Sequence, residues 1–196
     1  DPRPPAVRAA ALEALGGRLG DSEGVLIAFN DPLPRIRLRA AELSRASARG
    51  CRKAVELGDL LLERTLASQL EASAAVPDQQ PDPDAIEALY ASKNEETRRR
   101  MLALIAKDGS VPRDRRIGIA AGMLDDPSEA IARAAAEILK DLEAWDALLA
   151  AWPAVSAKAP ETAVLAAAQK NRPELIRELR KGAGDDVHAA AGHALL

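Results

Sequence analysis

The chain has 196 residues, of which 47% are hydrophobic but only 2% are aromatic. Its formal net charge of −3 argues against a general nucleic-acid binder, because such proteins are usually basic overall. The length suits one domain or one elongated repeat array, and a core of alanine and aliphatic side chains favours closely packed helices over an aromatic-rich pocket.

Four segments share one sequence pattern, which predicts a set of similar helices. Each has a branched apolar residue, usually a basic residue soon after it, then two or three alanines, then leucine or isoleucine. These segments are 7–15, 36–43, 131–139 and 187–195. Weaker copies begin at Thr97 and Val164. Because the apolar residues recur at helical intervals and no segment alternates convincingly like a strand, we predict an all-α fold.

The spacing of these segments predicts tandem repeats. The pattern starts at Val7, Ile36 and Ile131, so the starts lie 29 and then 95 residues apart. The longer interval is close to three units of about 32 residues, a length typical of helical repeats. We expect each unit to hold two helices and a short turn, and about six such pairs along 1–196.

An Asp-Pro dipeptide leads into three of the segments. These dipeptides are Asp1-Pro2, Asp31-Pro32 and Asp126-Pro127. Aspartate accepts hydrogen bonds from the unpaired N–H groups at a helix start, and proline at the first helical position loses no hydrogen bond. We therefore expect each aspartate to cap a helix whose first residue is the proline.

Two stretches interrupt the pattern. The segment 72–84 contains three prolines and three aspartates, which forbid a regular helix. We predict an exposed loop there, inside a single domain that covers 1–196. A second break is predicted near Trp152-Pro153.

The repeated segments resemble the HEAT-repeat family, in particular the short HEAT-like units of bacterial proteins. That family's unit carries an aspartate before a helix, an apolar-Arg pair and an alanine-rich stretch. The matching stretches are 1–16, 31–43, 126–139 and, in part, 185–195. The resemblance implies a right-handed superhelical solenoid.

The same resemblance implies roles for particular residues. Arg8, Asp31, Arg37 and Asp126 match the positions of the family's charged ladder, in which side chains link successive repeats. Family members are largely scaffolds that bind proteins on a curved surface. Some bind nucleic acid, and a few are enzymes, including bilin lyases and alkylpurine DNA glycosylases.

A basic cluster is the first candidate binding site. Its members are Arg35, Arg37, Arg39, Arg45, Arg49, Arg52 and Lys53. The spacing of Arg45, Arg49 and Arg52 predicts one helical face, which would bind phosphate or an acidic protein partner. The interpretation that we favour for the arginines is nevertheless a solvated face, in which their stems cover apolar neighbours.

A second basic group matters for the nucleic-acid alternative. Its members are Arg98, Arg99, Arg100, Arg113, Arg115 and Arg116. Nucleic-acid binding would require both groups to line one groove.

Trp145 and Trp152 are a further candidate site. They are seven residues apart, so one helical face would carry both. Large aromatic residues are common at binding hot spots, but they also fill cores, and in a chain so poor in aromatics we favour the core. A glycosylase would need an aromatic cradle with a catalytic acid beside it.

An acidic stripe of Glu56, Asp59 and Glu63 follows the basic cluster. Paired carboxylates perform acid–base chemistry when burial separates their pKa values. No sequence feature indicates burial at this stripe, so we interpret the three acids as ion-pair partners of the basic helix.

No catalytic, cofactor or metal site is predicted. His188 and His193 are five residues apart, which places them on different helical faces, and no cysteine lies near them. Cys51 is the one cysteine, so no intramolecular disulfide can form, and we interpret it as a packed thiol. Because no apolar run reaches the length of a membrane span and nothing resembles a signal peptide, we expect a cytoplasmic location.

The predicted function is that of a non-catalytic scaffold or adaptor that binds a protein partner through a helical-repeat surface. The chain starts at Asp1, and we expect it to be part of a longer protein or to self-associate through open end repeats. The alternatives are a HEAT-like enzyme and nucleic-acid binding through an arginine-rich face.

Overall fold

The structure, a computed structural model, describes residues 3–16, 22–76, 79–107 and 111–182. Every regular element in these ranges is helical, which confirms the all-α prediction. The segment copy at 187–195, with both histidines, lies outside the described residues.

The helices fall into two compact units. The first unit spans 1–111 and the second spans 112–196. The helices of the first unit are α1 (Pro5–Gly16), α2 (Glu23–Ile27), α3 (Pro34–Ser44), α4 (Ala48–Leu57), α5 (Leu60–Ala74), α6 (Pro83–Tyr90) and α7 (Glu95–Ala106). Those of the second are α8 (Arg113–Gly122), α9 (Glu129–Asp141), α10 (Trp145–Ala150), α11 (Trp152–Lys158), α12 (Pro160–Gln169) and α13 (Pro173–Gly182). A single 3-10 turn, Ala28–Asn30, follows α2.

The first unit is built from two layers of helices. Helices α1, α3, α5 and α7 contact one another in succession, and so do α2, α4 and α6. The core between the layers is aliphatic, with Leu62 and Leu66 of α5 and Ile86 and Leu89 of α6 fully buried. Because alanine also fills buried positions such as Ala54, the helices approach closely.

The Asp-Pro dipeptides act differently from the prediction. Helix α3 starts at Pro34 and α9 at Glu129, so neither Pro32 nor Pro127 is a first helical residue. The Asp31 carboxylate accepts a hydrogen bond of 2.9 Å from the N–H of Leu33. Asp31 and Asp126 therefore each close a tight turn just before a helix, because the aspartate side chain reaches the N–H two residues ahead. The dipeptide Asp1-Pro2 lies outside the described residues.

That turn recurs along the chain. A side-chain oxygen accepts from the N–H two residues later at Asp31, Asp59, Ser92 and Asp126. The turns lie 28, 33 and 34 residues apart in the sequence. They come just before α3, α5, α7 and α9.

The second unit is organised around α9. This helix contacts α8, α10, α11 and α12, and α12 contacts α10, α11 and α13. Helices α10 and α11 are separated only by Ala151, where Pro153 prevents the earlier helix from continuing. The break predicted near Trp152-Pro153 is therefore present, but it is one residue long.

The irregular segment predicted at 72–84 is shorter in the structure. Helix α5 continues to Ala74 and α6 begins at Pro83. The segment lies inside the first unit and does not divide the two units, because the boundary between them falls at 111–112. Among the described helices, none is long and apolar enough to cross a membrane.

Candidate partner-binding surface

Two grooves flank helix α4 on the face made by α2, α4 and α6, which we call the grooved face. The α2–α4 groove has a volume of about 320 Å³ and the α4–α6 groove about 460 Å³. The first is lined by Glu23, Leu26, Ile27, Asn30, Arg49, Arg52, Lys53 and Glu56. The second is lined by Arg52, Val55, Glu56, Asp84, Glu87, Ala88 and Ala91. Two residues, Arg52 and Glu56, line both.

The sequence of α4 explains why its charged residues face the grooves. The Ser47 side chain caps the helix by accepting from the N–H of Gly50 at 3.1 Å. Cys51 and Ala54 are fully buried, whereas Arg52 and Glu56 are exposed. The small residues therefore turn α4 onto the core and leave its long charged residues to line the grooves.

Most charges in the α2–α4 groove are paired. Arg49 binds Glu23 across the groove at 2.9 Å, and Lys53 lies 3.5 Å from Glu56 on the same helix. These pairs are exposed, so each contributes little stability. They do, however, cancel much of the positive charge that the sequence places here.

Aliphatic side chains lie beside these charges. Ile27, at the end of α2, is 63% exposed, although it is a large apolar residue that proteins usually shield. Val55, Ala88 and Ala91 form the apolar part of the α4–α6 groove. The grooved face therefore offers apolar and charged contacts side by side, as protein interfaces do.

The basic cluster predicted from the sequence does not lie on one helix. Arg45 is the residue that ends α3, in the left-handed conformation with φ 52°, and Ala46 follows with φ 49°. Arg49 and Arg52 belong to α4. The prediction of one helical face for all three arginines is therefore wrong, because the turn between α3 and α4 separates Arg45 from the others.

The remaining members of the cluster are divided between the two layers. Arg49, Arg52 and Lys53 line the α2–α4 groove. Arg39 on α3 instead binds Glu13 of α1 at 2.5 Å, and this ion pair lowers the pKa of Glu13. Arg35 is exposed on α3 and lines neither groove.

Three of the four charged residues assigned to the ladder take part in ion pairs that link α1, α3 and α5. Arg8 binds Asp31 with two hydrogen bonds, of 2.7 Å and 3.1 Å, and both side chains are largely buried. The hydrogen bond from Arg8 is the main reason why the pKa of Asp31 is lowered. Arg37 binds Asp59 at 2.9 Å, as expected for an acid that pairs with the basic cluster, so Asp59 belongs with these pairs, although the resemblance did not assign it to the ladder.

Asp126 closes the turn that precedes α9. It is buried, and its carboxylate accepts from the N–H of Ser128 at 2.8 Å. Its backbone carbonyl accepts from the Lys158 ammonium at 2.8 Å. Arg133 binds Glu129 and the carbonyl of Lys158.

The two tryptophans begin separate helices. Trp145 is the first residue of α10 and Trp152 the first of α11, so no single helical face carries both. The prediction of a shared face is therefore wrong, because the chain breaks at Ala151. Both side chains are half-buried, and neither belongs to the fully buried core.

The prediction that Glu63 is an unburied ion-pair partner of the basic helix is wrong, because Glu63 belongs to a buried polar group in the first unit. Glu63 is 2% exposed and accepts hydrogen bonds from the hydroxyls of Ser92 at 2.6 Å and Thr97 at 2.9 Å. The Arg98 guanidinium, also buried, donates to the Ser92 carbonyl at 3.0 Å. The signal was the helical spacing that places Glu63 on the same face as Leu66 and other buried residues of α5.

The second basic group is divided between α7 in the first unit and α8 in the second. Arg98 and Arg116 are buried. Arg99 binds Glu95 at 2.8 Å, and Arg100 binds a glutamate of α5. On α7, this group is therefore engaged with the protein itself.

Comparison with known proteins gives no match among family models, curated proteins or solved structures. Among the described residues, no group of three or more metal-ligating side chains occurs. The grooved face is therefore interpreted from its own geometry.

Proposed function

We propose that the chain is a solenoid of HEAT-like helix pairs and serves as a non-catalytic scaffold for a protein partner. The two-layer succession of helices in the first unit supports the fold, because stacked helix pairs place each repeat only against its neighbours. The turn that recurs before α3, α5, α7 and α9 supports the same reading.

The grooved face is the proposed binding site. The observation that carries this proposal is the pair of grooves on either side of α4, where exposed Ile27 lies beside Arg49 and Arg52. Protein interfaces combine an apolar centre with a charged rim. Helices α2, α4 and α6 present such a surface without rearrangement, which lowers the cost of binding.

The charge distribution favours a protein partner over nucleic acid. A nucleic acid presents a regular row of phosphates and needs several unpaired cations. In the grooves, Arg49 and Lys53 already face carboxylates, and the acids Asp84 and Glu87 line the α4–α6 groove. A polyanion would be repelled by these acids.

The test is an affinity pull-down from a lysate of the source organism. The wild type is compared with a double variant, Ile27→Glu with Arg52→Glu, and with the control Arg64→Glu. Arg64 is exposed on α5, in the other layer, so its reversal changes the net charge without touching the grooved face. Circular dichroism verifies that all three proteins are equally helical.

We expect one protein to be captured by the wild type and the control, and to be lost in the double variant. Capture by all three proteins would show that the grooved face is not the binding site. Capture of nucleic acid alone would overturn the scaffold proposal.

A further inference from the structure

Arg52 is the residue of the grooved face that points to a particular ligand. Its guanidinium is exposed, lines both grooves, and has no hydrogen bond or ion pair with any described residue. Its neighbours Arg49 and Lys53 are each close to a carboxylate. Arg52 is thus the cation in these two linings that the described protein leaves uncompensated.

The surroundings of Arg52 restrict the shape of that ligand. On one side lie Leu26 and Ile27 of the α2–α4 groove, and on the other lie Val55 and Ala88 of the α4–α6 groove. A group that reaches Arg52 from solvent therefore passes between aliphatic side chains. Apolar contact on both sides would shield a carboxylate–guanidinium pair from water and strengthen it.

The surroundings also restrict the ligand's charge. Glu23, Glu56, Asp84 and Glu87 line the same two grooves. A run of negative charges would bring like charges together, which costs binding energy. One carboxylate placed on Arg52 avoids these acids, whereas a polyacidic segment does not.

We propose that the grooved face binds an internal peptide segment of a protein partner in which a single acidic side chain is flanked by aliphatic residues. The acidic side chain pairs with Arg52 and the aliphatic residues enter the α2–α4 and α4–α6 grooves. This inference rests on the proposed scaffold function and specifies the partner's chemistry.

The test is a selection of random dodecapeptides, displayed on phage as internal segments, against the full chain. We expect enriched peptides to contain one aspartate or glutamate next to leucine, isoleucine or valine. Synthetic versions of these peptides should bind Arg52→Glu at least about tenfold more weakly and should bind the control Arg64→Glu as they bind the wild type.

A charge-reversal selection makes the assignment specific. Selection against Arg52→Glu should enrich lysine or arginine at the position where the wild type selects an acid, because the pairing is reversed. A merely structural role of Arg52 would not change the sign of the selected charge.

Three results would overturn the inference. These are basic or polyacidic peptides selected by the wild type, acidic peptides whose binding is unchanged in Arg52→Glu, and no enrichment at all. The scaffold proposal fails separately, in the pull-down. The pull-down partner could be lost in the double variant while the peptide selection enriches nothing. That combination would mean that the grooved face binds a folded surface of the partner and not a peptide segment.

Discussion

The two units use similar turns but join their helices differently. In the first, Arg8 and Arg37 reach the aspartates that precede α3 and α5, so side chains link successive helix pairs. In the second, the lysine Lys158 and the arginine Arg133 donate to backbone carbonyls at helix ends. Helix length does not distinguish the units, because α2 in the first has five residues and α9 in the second has 13.

The position of one arginine accounts for part of this difference. Arg37 and Arg98 each come six residues after a turn residue, and both donate to that residue's carbonyl. Arg133 comes seven residues after Asp126. One extra residue rotates a helical side chain by about 100°, which takes Arg133 away from the turn and to exposed Glu129.

The largest effect is expected at Glu63, whose hydrogen bonds are internal to the first unit. Glu63→Ala leaves the hydroxyls of Ser92 and Thr97 without their buried acceptor and opens a cavity. We expect a loss of about 3 kcal/mol in the free energy of unfolding. Glu63→Gln keeps the size and an acceptor oxygen, so its loss should be clearly smaller.

Hydrogen exchange followed by mass spectrometry locates that loss. If the units unfold independently, Glu63→Ala should reduce protection in peptides from 1–111 and leave peptides from 112–182 unchanged. An equal loss of protection in both ranges would show that the units unfold together. The units would then differ in structure but not in stability.

A smaller effect is expected for Asp31→Asn, which weakens the link between α1 and α3. The amide cannot form the charge-assisted pair with Arg8, so we expect a loss of roughly 1 kcal/mol at neutral pH. Urea unfolding, followed by circular dichroism, measures it. Asp125→Asn, at an exposed aspartate between α8 and α9, is the control and should unfold as the wild type does.

The pH dependence of this effect has a definite sign. The pKa of Asp31 is lowered from its usual 3.8, mainly by the hydrogen bond from Arg8. A carboxyl with a lowered pKa stabilises the folded state above its usual pKa, and this stabilisation is lost as the pH falls through the lowered value. The difference between wild type and Asp31→Asn should therefore be constant above about pH 5 and shrink below pH 4. A difference that grows on acidification would contradict the assigned pair.

The sequence predicts the helices well because their signals are local. Apolar spacing and alanine content identify α1, α3, α9 and α12, and proline marks the end of α10. The site residues are less predictable because helical spacing assumes an unbroken helix. The turn at Arg45 and Ala46 contains no proline or glycine, so no local feature reveals it. Pro153 does mark the break at Ala151, but the prediction of a shared face for Trp145 and Trp152 assumes one unbroken helix across it. The helical spacing of Glu63 with Leu66 indicates its burial, but its partner Ser92 lies 29 residues away, and no local feature identifies that contact.

The smallest effect compares two glycines in helices of the two units. A Cβ at Gly118 of α8 would meet no atom within 4 Å, whereas one at Gly50 of α4 would lie 3.0 Å from the Ser44 hydroxyl. Ser44 is buried and donates to the Ala41 carbonyl, so it cannot easily move. Alanine is the better helix former by about 0.5–1 kcal/mol where it fits.

We therefore expect Gly118→Ala to raise the melting temperature by about 1–4 °C, because the substituted position faces open space. Gly50→Ala should give no gain or a net loss, since crowding against Ser44 offsets the gain in helix propensity. Differential scanning calorimetry of both variants measures the contrast. An equal rise in melting temperature for both variants would mean that the first unit is packed less tightly around α4 than its buried residues indicate. The two units would then not differ in packing at these positions.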